Sequence, residues 1–305
     1  ENDTSSAAAF NIVGDKNTIM SNTATVCGIG FKVTSPATQN FLEKNTVKFE
    51  GANLTKANSS IGFLFDNVSN NTIRQASVLS AKVAAFKSIS TSNSNYNTIK
   101  SSTSDSSFVG VKANGGKLFI SENTFRVSHY GAILQDMAHV KLNKNYFSYG
   151  ISTAIFLSNS SNDTLIENTI NNNKGDAMQL ESANNLLITD NTIASNSNGI
   201  VMNNCDNNQL LSNNIGTDKF AKTYGWNQKG IGVYLKNTSN CLIGNVGVEN
   251  HIGFNALGGV KVENGNNNAI IYNTFISNSD SVGQEILPPG IGVLNSNGNN
   301  LINAP

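Results

Sequence analysis

Short apolar runs separated by polar turns recur along the middle of the chain at a nearly constant interval. Between residues 118 and 204, each repeat has an apolar run, then Asn, Thr or Tyr, and an apolar residue; a polar turn, a small residue and a second apolar run follow. The marker asparagines Asn123, Asn145, Asn168 and Asn191 recur with a period of about 22 to 23 residues, which is in the range of known solenoid repeats. The runs alternate with the period of two that is typical of strands, and none has the ~10–12 periodic residues that a helix needs.

A repeat of this length predicts one rung of a parallel β-helix, because strands rise ~3.3 Å per residue and ~22 residues close a circuit of short strands and corners. The marker recurs in the first half of the chain at Asn17, Asn45, Asn71 and Asn97, with a slightly longer period of about 26 to 28 residues. We expect the marker Asn to occupy the same corner of every rung in the left-handed conformation, and its amide to bond to the Asn of the next rung.

Three segments carry a resemblance to a known family. They are Asn168-Thr169-Ile170 with the Gly-Asp-Ala-Met-Gln-Leu run at 175–180, Asn191-Thr192-Ile193 with Gly-Ile-Val-Met at 199–202, and the Gly-Ile-Gly-Val-Tyr-Leu run at 230–235. These rungs resemble the right-handed parallel β-helix repeats of the NosD-like and pectate-lyase-like families. The resemblance covers nearly the whole chain and implies one all-β domain, residues 1–305, of about eleven rungs of roughly 22–28 residues. It implies no particular activity, because β-helices include lyases, hydrolases, epimerases, tailspikes and adhesins.

Three segments interrupt the repeat and are predicted excursions from the solenoid: 216–229, 244–258 and 278–290. The last contains Pro288-Pro289, which cannot donate to a strand ladder. The sequence begins with Glu1 rather than Met, as expected of a mature, processed chain. Neither end shows an amphipathic helix or a charged cap, so we expect either end-to-end stacking of copies into a filament or a loop cap from 278–290.

Composition narrows the classes of function. Charged residues make up 13% of the chain, with 20 basic and 20 acidic side chains, against ~25% charged residues in an average domain. The sequence has no basic face that would indicate nucleic acid as a partner. It also has no run of ~18 apolar residues, so it predicts no membrane-spanning helix. Low charge and few cysteines favour an extracellular or cell-surface location.

The three cysteines, Cys27, Cys205 and Cys241, lack the spacing of metal ligands, and we expect neither a metal site nor a cofactor. Buried thiols are the expected role, and a Cys205–Cys241 disulfide is the alternative.

Candidate catalytic residues follow from aligning the rungs on the marker Asn. Six positions after the marker stand His129, Ile151, Lys174 and Ser197, and Asp176 follows two positions after Lys174. With Glu181 near the end of the same strand, the alignment predicts a patch of His129, Lys174, Asp176 and Glu181 across about three rungs. Two carboxylates are what glycoside hydrolysis needs, whereas a lyase needs a base and often Ca²⁺. The alternative is a set of unrelated turn residues.

A second candidate site lies in the predicted excursion at 216–229. Phe220, Tyr224 and Trp226 offer aromatic rings, and Lys222 stands among them. Rings of this kind stack on sugars or pack against a neighbouring subunit. The segment is therefore a candidate for contact with a glycan or with another copy of the chain.

Three functions compete on the sequence alone. Regular ladders, low charge and the absence of polygalacturonase or alginate-epimerase motifs favour a non-enzymatic extracellular structural or surface protein, self-assembling into a filament or acting as an adhesin. The family resemblance favours a polysaccharide-active enzyme, either a lyase or a glycoside hydrolase. The aromatic excursion favours a glycan-binding, tailspike-like module. The partners expected from these readings are other copies of the chain and polysaccharide.

Overall fold

The computed structural model is a solenoid of short parallel strands, and it describes residues 8–26, 28–49, 60–90, 96–217, 230–276, 278, 291–294 and 300–302. These residues form thirty-five strands and no helix. Accordingly, no described segment is a helix long and apolar enough to cross a membrane. The strands are β1 (Ala8–Ile12), β2 (Thr18–Met20), β3 (Thr23–Val26), β4 (Ile29–Thr34), β5 (Phe41–Glu43), β6 (Thr46–Phe49), β7 (Ile61–Asp66), β8 (Thr72–Arg74), β9 (Ser77–Leu79), β10 (Ala84–Ile89), β11 (Asn97–Lys100), β12 (Thr103–Asp105), β13 (Val109–Asn114), β14 (Leu118–Ser121), β15 (Thr124–Arg126), β16 (Tyr130–Gln135), β17 (Lys141–Asn143), β18 (Tyr146–Ser148), β19 (Ile155–Ser158), β20 (Thr164–Ile166), β21 (Thr169–Asn171), β22 (Met178–Glu181), β23 (Leu187–Thr189), β24 (Thr192–Ala194), β25 (Ile200–Asn203), β26 (Gln209–Leu211), β27 (Asn214–Ile215), β28 (Val233–Lys236), β29 (Leu242–Ile243), β30 (His251–Gly253), β31 (Val260–Glu263), β32 (Ala269–Ile271), β33 (Thr274–Ile276), β34 (Ile291–Leu294) and β35 (Asn300–Ile302).

Successive strands enter three sheets in rotation, which confirms the predicted all-β parallel β-helix. Sheet A contains β1, β4 and every third strand to β34; sheet B runs from β2 to β35, and sheet C from β3 to β33. In the described residues these sheets have 12, 12 and 11 strands, all paired in parallel with the rung before and the rung after. Each rung is thus one strand of each sheet joined by three corners.

Hydrogen bonds between equivalent positions of adjacent rungs measure the rung length directly. Ser102 N donates to Asn123 Oδ1, and these two residues are 21 residues apart. Ser239 N donates to Asp206 Oδ1 across 33 residues. This rung is longer because it includes the predicted excursion at 216–229.

The other two predicted excursions have different outcomes. Strand β30 lies inside the predicted excursion at 244–258, so part of that segment stays in sheet C. Residues 279–290 of the last predicted excursion lie outside the described residues.

The marker asparagines belong to two different corners, which corrects the single column expected from the sequence. Asn145 and Asn168 precede strands of sheet C, whereas Asn71 and Asn97 precede strands of sheet B or begin them. The column of Asn71 and Asn97 continues to Leu118, which pairs with Asn97. Both corners use the same local sequence, so spacing alone does not distinguish them.

The left-handed residue at these corners is the one before the Asn, so the expectation that the Asn itself is left-handed is wrong. Lys144 and Glu167 each have φ of 55°, and they immediately precede Asn145 and Asn168. In both of these pairs the left-handed residue turns its side chain into solvent, and the following Asn turns inward and is 1% exposed. The bend therefore places the charged side chain of one residue in solvent and buries the amide side chain of the next residue.

The predicted asparagine ladder is present. Asn145 Nδ2 donates to Asn168 Oδ1 at 3.0 Å, and Asn168 Nδ2 donates to Asn191 Oδ1 at 3.0 Å. Each amide also reaches back to a backbone carbonyl of the preceding rung, as Asn168 Nδ2 does to Leu142 O at 3.0 Å. Buried amides tolerate removal from water only when such partners are present, so the ladder satisfies the corner of each rung through its neighbours.

The interior is one continuous column of apolar side chains. Phe10, Phe31, Phe63 and Phe86 stack with ring centroids 4.5, 4.9 and 5.5 Å apart on successive rungs. The small residue that the sequence pattern places before each second apolar run makes room for this packing. A Cβ on Gly131, for example, would lie 2.3 Å from Phe147 Cδ1. The small residues therefore follow from close contact between the start of sheet A and the inner side chains of sheet C.

Candidate functional site

The outer face of sheet A carries a groove of about 440 Å³ that crosses four rungs, from β13 to β22. In the middle of these strands Lys112, Ile133, Phe156 and Gln179 stand in register and point outward. Tyr130 lies at the entry end of the face. The groove is lined by Lys112, Tyr130, Ile133, Gln135, Phe156, Gln179 and Glu181. Two aromatic rings, two amides and charges of both signs therefore share one elongated surface.

Hydrogen bonds orient the polar side chains of this groove. Gln179 Nε2 donates to Glu181 Oε1 at 2.8 Å. The Thr153 hydroxyl donates to Gln179 Oε1 at 3.4 Å from the rung before. Glu181 therefore accepts a hydrogen bond from an amide through one oxygen, and Gln179 links Thr153 on the preceding rung to Glu181 on its own rung. Such a surface offers both hydrogen-bond donors and acceptors to a polyhydroxylated ligand.

The structure separates the members of the predicted catalytic patch. Exposed His129 packs against Phe108 with tilted rings whose centroids are 4.8 Å apart, and exposed Lys174 occupies the same corner two rungs later. Asp176 accepts hydrogen bonds from the next rung, from Asn198 Nδ2 at 2.7 Å. Glu181 alone of the four lines the groove. A catalytic role for these residues stays a prediction.

Asp176 and Glu181 have separate hydrogen-bond partners, which disfavours the predicted pair of hydrolytic carboxylates. Asp176 lies before β22 and Glu181 lies at its end, and at ~3.3 Å per residue five residues span up to about 16 Å. Glycosidase carboxylates are about 5–5.5 Å apart in retaining enzymes and about 6.5–9.5 Å apart in inverting enzymes. Asp176 accepts from Asn198 on the next rung, whereas Glu181 accepts from Gln179 on its own rung, and direct pairing of the two carboxylates stays a prediction.

A second groove, of about 420 Å³, lies on the outer face of sheet C. A row of hydroxyl groups forms its centre, with charged side chains beside it. The row consists of Thr46, Ser77, Thr103 and Thr124, and the charged residues are Lys48, Asp105 and Arg126. Since no aromatic ring lines this groove, the sheet A groove is the better candidate for stacking against a sugar.

A polar cluster further along sheet A was not found from the sequence. Tyr234 donates from its hydroxyl to Glu263 Oε2 at 2.6 Å, and Lys261 Nζ lies 3.0 Å from the same carboxylate. The hydrogen bond from Tyr234 lowers the pKa of the Glu263 carboxyl, and the bond to Glu263 raises the pKa of Lys261. Burial, followed by the bond to Glu263, raises the pKa of the Tyr234 phenol. These residues lie on adjacent strands, and only the register reveals that they meet.

The other predicted sites have separate outcomes. Phe220, Lys222, Tyr224 and Trp226 all lie outside the described residues, so contact with a glycan or subunit stays a prediction for them. Cys205 and Cys241 are both buried and free, so they are not bridged. Burial raises the pKa of the Cys205 thiol to about 11 and that of the Cys241 thiol to about 12.

Comparisons with known proteins agree on the fold. A family model described as "Right handed beta helix region" matches residues 87–225, and one described as "Periplasmic copper-binding protein (NosD)" matches residues 174–286. No curated protein sequence matches the chain.

Among solved structures, the periplasmic alginate epimerase AlgG has a TM-score of 0.67 at 14% identity, covering 95% of this chain and 77% of that chain. The A-module of mannuronan C-5 epimerase AlgE6 from Azotobacter vinelandii has a TM-score of 0.53 at 11% identity, covering 97% and 91%. At these identities the two likenesses show the fold.

The copper named for the NosD family does not fit the described residues. Outside the undescribed segments, no group of three or more His, Cys, Asp and Glu side chains comes together to hold a metal ion. Cys205 and Cys241 lie on adjacent rungs, but burial opposes the thiolate form that binds metals. We therefore derive no step through copper.

The topology of the sheets and the family matches agree on the same fold. The three parallel sheets and stacked corners repeat along the described chain. The two family matches overlap and together extend from residue 87 to residue 286. The chain belongs to the right-handed parallel β-helix repeat proteins.

Proposed function

We propose that this protein binds a polysaccharide along the outer face of sheet A. The observation that carries the proposal is the groove itself, in which Tyr130 and Phe156 stand beside Gln135, Gln179 and Glu181. Pyranose rings present apolar faces to aromatic side chains and hydroxyl groups to amides and carboxylates. A groove that crosses successive similar rungs suits a linear polymer, because each rung repeats the surface every ~4.8 Å.

The structural neighbours support this class of ligand over the non-enzymatic structural role that the sequence alone favoured. AlgG and the AlgE6 A-module share the fold, and both are epimerases, one of alginate and the other of mannuronan. The descriptions of AlgG and of the NosD family also name the periplasm. We propose a location outside the cytoplasm on the same grounds. Assembly into filaments remains a prediction from the sequence.

Modification of the bound polysaccharide is the second candidate function. It is favoured by Glu181, a carboxylate in the groove whose orientation is set by Gln179 at 2.8 Å. Glu181 would serve as a general acid or base toward a sugar bound over Phe156. This reading differs from the predicted four-residue patch, because Asp176, His129 and Lys174 stand apart from the groove.

The test separates binding from chemistry. Immobilised alginate, polygalacturonate and dextran are presented to the wild type, to Gln179→Ala and to Glu181→Gln, with Glu167→Gln as a control on an exposed corner away from sheet A. We expect the Gln179→Ala variant to bind about tenfold more weakly, through loss of its hydrogen bonds. Equal binding by wild type and Gln179→Ala contradicts the groove as the binding site. Product formation that is abolished in Glu181→Gln while binding persists supports catalysis.

A further inference from the structure

An exposed apolar ridge crosses three rungs at the corner between sheets C and A. Phe108 is 45% exposed, Val127 47%, Tyr149 57% and Ile151 47%. Val127 and Tyr149 occupy equivalent corner positions on adjacent rungs, since Val127 N donates to Ser148 O. Exposed His129 stands between Phe108 and Ile151 in the neighbouring column. We call these five residues the corner ridge.

The same two columns are polar on the rungs immediately before and after the ridge. Where the ridge has Val127 and Tyr149, the rungs on either side carry small polar residues, and where it has Phe108 and Ile151, they carry lysine or serine. These residues are Ser80, Ser106, Asn172 and Ser195 in the first column, and Lys82, Lys174 and Ser197 in the second. The fold therefore does not need apolar side chains at this corner. A contiguous exposed apolar patch flanked by polar rungs indicates a binding surface.

Backbone conformation gives a second, independent observation. Val127 has φ of 52° and Tyr149 has φ of 58°. A β-branched residue in the left-handed region is an outlier, because its branched Cβ crowds the backbone there. Asn172 occupies the equivalent corner with φ of 56°, and Asn tolerates this conformation well. The ridge thus retains a strained residue, Val127, where an unstrained residue fits the fold.

The size of the ridge argues for a small or linear ligand rather than for a second copy of the chain. An aromatic side chain buries about 150–250 Å² in full, so the half-exposed residues of the ridge offer about 400 Å² in total. A stable protein interface needs about 800 Å² from each partner. A sugar chain covers this area completely.

The ridge is continuous with the sheet A groove. The Phe108 ring lies 4.8 Å from the His129 ring and 6.3 Å from the Tyr130 ring, measured between centroids. Tyr130 is itself part of the groove lining. On the other side of the ridge, the Arg126 guanidinium lies 5.8 Å from the centroid of the Tyr146 ring. An extended ligand leaving the groove past Tyr130 meets Phe108 next.

We propose that the corner ridge is an auxiliary subsite for the apolar faces of sugar rings, extending the groove for long polysaccharide chains. This inference rests on the proposed function, because the ligand is the same polymer. The groove holds a short segment, and the ridge adds contacts that only a longer chain reaches. The ridge residues position the polymer and take no part in chemistry.

The test compares a long polymer with a four-sugar oligosaccharide of the same kind, using whichever of alginate, polygalacturonate or dextran the wild type binds. We expect Phe108→Ala and Tyr149→Ala each to weaken binding of the polymer about 5- to 10-fold and to leave binding of the oligosaccharide unchanged. Val246→Ala, at a side chain 67% exposed on a distant corner, is the matched control and should change neither. Gln179→Ala should weaken both ligands.

A further variant, Val127→Asn, tests the strain argument. We expect it to raise the melting temperature by about 2 °C, because Asn accepts the left-handed conformation, and to weaken binding of the polymer. Loss of binding in the groove variant alone overturns the ridge and leaves the proposed function standing. Loss in the ridge variants alone contradicts the groove as the binding site, and with it the auxiliary role of the ridge. A Val127→Asn protein with lower stability or unchanged polymer binding contradicts the ridge, and failure of the wild type to bind any of the three polymers overturns both proposals.

Discussion

Asp163 is a buried carboxyl group in a column where other rungs have a neutral amide. It is 1% exposed and precedes a strand of sheet B, as Asn71 and Asn208 do on other rungs. Its Oδ1 accepts a hydrogen bond from Val140 N at 2.6 Å, and its Oδ2 accepts one from the Ser160 hydroxyl at 2.5 Å. Asp163 therefore accepts the hydrogen bond that the side-chain oxygen of an Asn accepts on other rungs, but its carboxyl group adds a negative charge when it is ionised.

Burial makes this charge unfavourable, and the hydroxyl of Ser160 compensates for it only in part. Ser160 Oγ also lies 3.0 Å from Met137 O, and its one proton cannot serve both acceptors fully. A protonated Asp163 donates to Ser160 and leaves the hydroxyl proton for Met137 O. Burial raises the pKa of Asp163 to about 6 from an ordinary 3.8, against the opposing effect of the bonds from Ser160 and Val140.

The pKa shift sets the sign and size of the expected effect. The folded state binds the proton more tightly than the unfolded state, so the contribution of Asp163 to stability is greatest below about pH 3.8, falls as pH rises, and levels off above about pH 6. A shift of about two pKa units at ~1.36 kcal/mol per unit amounts to about 3 kcal/mol. Asp163→Asn removes the titration and keeps an acceptor for Val140 N. We expect it to be about 3 kcal/mol more stable than the wild type at pH 7.5 and nearly equal near pH 4.

Melting temperatures and urea midpoints at pH 4.0 and pH 7.5 provide the assay. At pH 7.5 we expect Asp163→Asn to melt at least about 5 °C above the wild type. Asp105→Asn, at an exposed carboxylate of sheet C, is the control and should leave the difference between the two pH values as it is in the wild type. If Asp163→Asn has the same pH dependence as the wild type, or is less stable at pH 7.5, the argument from the buried charge is refuted.

Three further predictions concern the interior. Asn168→Ala should destabilise the protein by about 2–4 kcal/mol in urea unfolding, because it leaves buried groups of two rungs unpaired; an effect below about 0.5 kcal/mol would show that water replaces the ladder. Gly131→Ala should lower the melting temperature and slow or prevent folding, because its Cβ would meet the Phe147 ring at 2.3 Å; unchanged stability would mean that the ring moves aside freely. Cys205 and Cys241 should resist a thiol reagent at pH 8 in the native state and react after unfolding, because both are buried with raised pKa values; rapid native labelling at either position contradicts their burial.

Much of the fold can be predicted from the sequence because each rung repeats the same local pattern of apolar residues, Asn and Thr. The alternation in segments such as 164–171 predicts strands, and Asn168 followed by Thr169 marks the corner. The prediction fails at the assignment of corners, since Asn97 and Asn123 have the same local sequence but occupy different columns. Local sequence specifies that the chain turns, and only the pairing of whole rungs specifies which turn it is.

The candidate site was less accessible to sequence reasoning. Alignment of the rungs placed His129 and Lys174 in one column, and the structure agrees with that register. It did not reveal that Glu181 faces a groove while Asp176 bonds to Asn198 on the next rung. Nor did it reveal the cluster of Tyr234 and Glu263, because these two side chains, far apart in the sequence, become neighbours only through the register of β28 and β31.

The sequence by itself determined the strand content, the solenoid repeat, the buried amide ladder and the small residue before each second apolar run. These features depend on interactions that recur within one rung or between equivalent positions of adjacent rungs, so a periodic sequence encodes them directly. The tertiary structure alone decided which side chains share an outer face, which hydrogen-bond partners the carboxylates have and where the apolar residues form the corner ridge. Because the rungs differ in length, a constant spacing in the sequence does not place residues in the same column. The true columns become visible only when the strands are paired in the sheets.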